Sequence, residues 1–119
     1  MGMDVYGKAP TARVGGYFGA NISLWHPIAC YIEETHPHLA SECEHWYSND
    51  GDGLSAQSAK ILGNRLLADI AEGKVAAYVA LHKKQPPESA DKRWLYLIDE
   101  ADLRQFAEFC KTSGGFAIW

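Results

Sequence analysis

Helical spacing dominates the pattern of apolar and polar positions in this 119-residue chain. Between residues 55 and 72, Ala59, Leu62, Leu66 and Ile70 recur on one stripe, widened by Leu67, which predicts an amphipathic helix. Gly73 follows where a C-terminal cap belongs. Val75, Tyr78, Val79 and His82 then repeat at i, i+3, i+4 and i+7, which predicts a further helix ending near Lys83 and Lys84, cations suited to a helix C-terminus. Leu103, Phe106, Ala107 and Cys110 predict a last helix, capped by Asp99 and stopped by Gly114 and Gly115. Nearer the start, Ser23 can cap a helix that holds Pro27 in its first turn and buries Ile28, Tyr31 and Ile32. Pro37 ends that helix or starts the next, with Leu39, Cys43 and Trp46 on one side.

Strand signals are fewer. Residues 3–6, with the β-branched Val5 and closed by Gly7, read as a short edge strand. Residues 8–23 contain Pro10, Gly15, Gly16 and Gly19 and read as a loop, pinned to the core by Tyr17, Phe18 and Ile22. Residues 85–93 are polar with a double proline and read as an exposed connector. Residues 94–98 (WLYLI) are the best strand candidate, and residues 116–119 are expected as a final strand beside them. The sum is an α+β class: one helix-rich domain over residues 1–119, with four to five helices and a two- to three-stranded sheet formed by the chain ends. A sheet that small is marginal alone, so the helices must cover it.

Composition narrows the function classes. Hydrophobic residues make up 47% and charged residues 22%, the profile of a folded domain. A formal charge of −4 argues against a phosphate-backbone binder, whereas it suits contact with a basic partner surface. Cys30, Cys43 and Cys110 are odd in number and widely spaced, which is no disulfide framework and is expected of reduced, mostly buried thiols. No apolar run approaches membrane-spanning length, and the opening MGMDVYGK lacks a signal-peptide core, so a cytoplasmic location is expected.

The most conspicuous chemistry lies in residues 48–54 (SNDGDGL), where Asn49, Asp50 and Asp52 share a turn with Gly51 and Gly53. A calcium loop of the EF-hand type needs oxygen ligands at positions 1, 3 and 5, glycine at 6 and glutamate at 12. Placing Asp50 and Asp52 at positions 3 and 5 sets Gly53 correctly but puts Ala59 where the glutamate belongs, which excludes that reading. Otherwise the turn is a helix entry capped by Asp52 or Ser55, or an exposed loop for a partner. His36, His38, Cys43 and His45 are all acceptable zinc ligands, but their spacing matches no familiar zinc site. In a helix, Cys43 and His45 would point about 200° apart. The alternative is therefore a metal-binding domain or metal-dependent hydrolase that uses Asp50 and Asp52 with His45 or Asp4 around zinc or calcium, with His36, His38 and Cys43 as further candidate ligands. No nucleophile motif, phosphate loop or metalloprotease signature occurs, which favours a binding protein without a cofactor over an enzyme. Trp25 and Trp46 are candidate anchors for a protein partner if they reach the surface, since interface hot spots favour tryptophan.

The opening GMDVYGK and the SNDGDGL turn, with Trp25-His26-Pro27 and the last helix running into GGFAI, resemble a family of small bacterial and phage proteins with no assigned activity. Some members carry a CxxC-bearing insertion before the last helix. This chain has only residues 83–93 there, so no zinc knuckle is implied. The resemblance implies a mobile-element setting and transfers no catalytic residue. A small protein that docks onto a host or self-encoded protein is the expectation, an inhibitor of bacterial defence such as an anti-CRISPR being one version.

Overall fold

In the computed structural model, which describes residues 2–48, 50–84 and 98–119, the first strand is central rather than at an edge. Strand β1 (Gly2–Gly7) pairs antiparallel with β2 (Tyr17–Asn21) on one side and with β4 (Phe116–Ile118) on the other. A two-residue strand, β3 (Gly53–Leu54), pairs with the far side of β4, giving the order β2-β1-β4-β3. The sheet thus has four strands among the described residues, against an expected two or three. Two of them arise where sequence pattern indicates loop or turn. Residues 17–21 (YFGAN) form β2, preceded by a short 3-10 turn at Arg13–Gly15, because every position of β2 finds a register partner on β1. The tail of the acidic turn becomes β3 through Gly53↔Ala117 and Leu54↔Phe116. The strand expected over residues 94–98 falls almost wholly outside the described residues, and Ile98 itself is buried coil.

The described residues form five α-helices, α1 (Ile22–Thr35), α2 (Pro37–Ala40), α3 (Ala56–Ala71), α4 (Lys74–Lys84) and α5 (Glu100–Thr112); α1 and α5 pack on one face of the sheet, α3 packs on α5, α4 on α3 and α2 against α1. Helix α1 begins earlier than its sequence suggests. Asn21, at the end of β2, accepts the Leu24 N–H at 2.9 Å as N-cap, so Pro27 lies inside the helix rather than in its first turn. Ser55 caps α3, its Oγ accepting from Ser58 N, and Asp99 caps α5 by accepting from Ala101 N at 2.7 Å. The expected stripe of α5 is buried as a unit: Leu103, Phe106, Ala107 and Cys110, joined by Phe109.

One core joins helices and sheet. Met3, Val5, Phe18, Leu54, Phe116 and Ile118 point inward from all four strands. Trp25 and Trp46 stack against each other in that core, with ring centroids 6.1 Å apart. Their indoles are satisfied by main-chain carbonyls: Trp25 Nε1 donates to Trp46 O at 2.6 Å, and Trp46 Nε1 donates to Ala40 O at 3.0 Å. These two bonds hold the irregular segment after α2 in place, which no periodic pattern could do. Among the described residues, no helix is long and apolar enough to cross a membrane.

Candidate docking face

Strand alternation decides what the uncovered side of the sheet carries. With Met3, Val5, Phe18, Phe116 and Ile118 turned inward, the alternate positions Asp4, Tyr6, Tyr17, Gly19, Ala117 and Trp119 are left on the outer face. The register arranges them in two rows. One row runs Tyr17, Tyr6, Ala117, Gly53. The other runs Gly19, Asp4, Trp119, Gly51, with Trp119 N donating to Asp4 O at 2.6 Å and Gly51 N donating to Ile118 O at 2.7 Å.

The two glycines in the second row act as floors for aromatic rings. A Cβ on Gly19 would lie 2.5 Å from Tyr17 Oη, and one on Gly51 would lie 2.5 Å from the Trp119 ring. Tyr17 can therefore lie across the strand, its hydroxyl donating to Asp4 Oδ1 at 2.5 Å. That hydrogen bond, with slight desolvation and the carboxylate charge, holds the Tyr17 phenol above its ordinary pKa. Tyr6 and Tyr17 face each other across the strands with centroids 5.2 Å apart. Tyr6, Tyr17 and Trp119 remain 47%, 51% and 57% exposed, so the face presents three large rings around one carboxylate.

The acidic turn borders this face but uses its own chemistry internally. Asp52 Oδ2 accepts the main-chain N–H groups of Glu44 (2.9 Å) and His45 (3.0 Å), and its Oδ1 accepts from Gly53 N at 2.8 Å. Asp52 therefore clasps the segment after α2 to the sheet, while Ser55 alone caps α3. Partial desolvation pushes the Asp52 carboxyl up, but the three N–H donors and the nearby His45 outweigh it, and the net displacement is downward. A folded-state pKa below the unfolded value means that stability is present above the ordinary carboxylate range and is lost as pH falls through the folded value. Asp52→Asn is accordingly expected to lower stability by about 1–2 kcal/mol at neutral pH. The gap from wild type should close below about pH 4. Melting curves of both proteins across that range check it, and a constant gap would deny the charge its role.

The other sequence candidates are scattered. Asn49 lies outside the described residues, and Asp50 is exposed, accepting from Ser48 Oγ at 3.2 Å. Trp25 and Trp46 are 0% and 1% exposed, which corrects the expectation that they anchor a partner: their indoles are spent on the core. The proposed zinc residues do not converge. Among the described residues, no three His, Cys, Asp or Glu side chains gather closely enough to hold a metal ion. His38 and His45 are exposed, whereas Cys43 is buried and desolvation pushes its thiol up to about 12, far from the thiolate a metal requires. His36 turns instead to α3, where Nε2 meets Asp69 Oδ2 at 2.7 Å. Tyr31 donates to the same oxygen at 2.9 Å. Two clefts of about 340 and 330 Å³ adjoin this group, with His36, Asp69 and Lys74 shared between them.

The fold and face define a class of α+β domain with helices on one side of an antiparallel sheet and an aromatic face on the other. Compared with known protein families, curated proteins and solved structures, the chain finds no match.

Tyr6, Tyr17 and Trp119 were not singled out as site residues from sequence. The signal was present as alternation: Asp4 and Tyr6 flank inward Val5, and Ala117 and Trp119 flank inward Ile118. Its meaning depended on knowing that these segments pair.

Proposed function

We propose that this chain is a small non-enzymatic binding protein that docks onto another protein through the open face of its sheet. The observation that carries the reading is the set of three exposed rings, Tyr6, Tyr17 and Trp119, on the side of the sheet opposite the helices. Large aromatic rings left in water on a rigid sheet are the side chains that contribute most to protein interfaces. The glycine floors keep two of the rings flat, so little side-chain freedom is lost on docking. Mild net acidity supports a partner with a basic surface. The setting we favour is the cytoplasm of a bacterium carrying a phage or mobile element, and an inhibitor of a defence system, of the anti-CRISPR kind, is one concrete form.

Affinity capture from a bacterial lysate tests the reading when run in parallel with Tyr6→Ser/Trp119→Ser. Both side chains are exposed, so the variant should fold and melt close to wild type. A protein retained in stoichiometric amount by wild type and lost from the variant is the expected result. No retained protein, or equal retention by both, overturns it.

A further inference from the structure

We infer that the open sheet face recognises an arginine side chain carried by a basic segment of its protein partner, an inference that rests on the docking reading above. The two rows of the face place Asp4 between Gly19 and Trp119, one pleat from the Tyr6–Tyr17 pair. A carboxylate set among aromatic faces is the arrangement that attracts a cation, because ring faces and carboxylate are both negative. Of the two cationic side chains, arginine fits better: its planar guanidinium lies flat on a ring while its fork of N–H groups meets a carboxylate edge-on.

Three observations support this occupant over others. Among the described residues, the one side-chain hydrogen bond to Asp4 is from Tyr17 to Oδ1, which leaves Oδ2 for an incoming donor. Neither Asp4 nor Asp50, beside the Gly51 floor, forms an ion pair among the described residues. The basic residues closest in sequence, Lys8 and Arg13, follow the Gly7 end of β1, where Lys8 N donates to Gly115 O, at the opposite end from Trp119. The face is therefore acidic where the rings frame Asp4. Single-stranded nucleic acid, which also stacks on aromatic sheets, would bring its phosphates toward that carboxylate.

The test is a titration of the ¹⁵N-labelled protein, followed by NMR, with a short arginine-containing peptide, its Arg→Gln counterpart and a single-stranded oligonucleotide. The arginine peptide is expected to shift the amides of Asp4, Tyr6, Gly19 and Ala117, with affinity that weakens as salt rises. The Arg→Gln peptide and the Asp4→Asn protein should each bind roughly tenfold more weakly. Asparagine can still accept from Tyr17, so the variant keeps the face intact and isolates the charge. Equal binding of the Gln peptide, shifts confined to other surfaces, or preferential binding of the oligonucleotide would each overturn the inference. The lysate capture separates its failure from that of docking itself: a partner lost with Tyr6→Ser/Trp119→Ser but fully retained by Asp4→Asn leaves docking standing and removes the arginine.

Discussion

Replacing Asp69 with alanine is expected to cost about 2–5 kcal/mol of unfolding free energy. Asp69 is 5% exposed on α3, and a single oxygen, Oδ2, accepts from Tyr31 of α1 and from the His36 ring at the end of α1. Truncation removes the carboxylate acceptor for both and leaves the Tyr31 hydroxyl, itself in the core, without its Asp69 bond. Burial and that same hydrogen bond raise the Tyr31 phenol well above its ordinary range, so it stays protonated and needs an acceptor at any working pH. Asp69→Asn keeps one acceptor oxygen and should fall between wild type and alanine. Urea denaturation of the three proteins measures the series. A loss under about 1 kcal/mol for alanine would mean that water entering from the adjoining clefts replaces the carboxylate.

Gly53→Ala is the second large effect, about 3 kcal/mol or more. The backbone of Gly53 has no positive φ, so left-handed strain is not the reason. The reason is distance: a Cβ there would sit 1.8 Å from the Phe116 carbonyl oxygen on β4. A backbone atom of a paired strand cannot step aside, so β3 must detach, and with it the turn that Asp52 clasps. Gly73→Ala is the control. Gly73 has φ +77° with nothing within 4 Å of its missing Cβ, so alanine there should cost only about 1 kcal/mol. Thermal melts of both variants rank the two mechanisms, and equal losses would contradict the crowding argument.

These contrasts show how far local pattern reaches. Helices α3 and α5 were legible because their apolar stripes, caps and stop signals all lie within one short window of chain. Gly73 was placed correctly for the same reason. Strand β2 was not legible, since YFGAN holds a glycine, follows Gly15 and Gly16, and reads as loop until β1 lies beside it. Trp25 and Trp46 read as core, or as anchors only if exposed, because hydrophobicity says nothing about which side of a chain meets water.

Residue order alone therefore settled the α+β class and the main helices, which follow from spacing over a few turns. Tertiary structure decided the four-strand order, the clasp by Asp52, the His36–Asp69–Tyr31 tie and the aromatic face. Each of these joins segments separated along the chain, and the outer face exists only because helices cover the inner one. Long-range pairing sets which side of every strand is buried, and by exclusion it sets which rings are left for a partner.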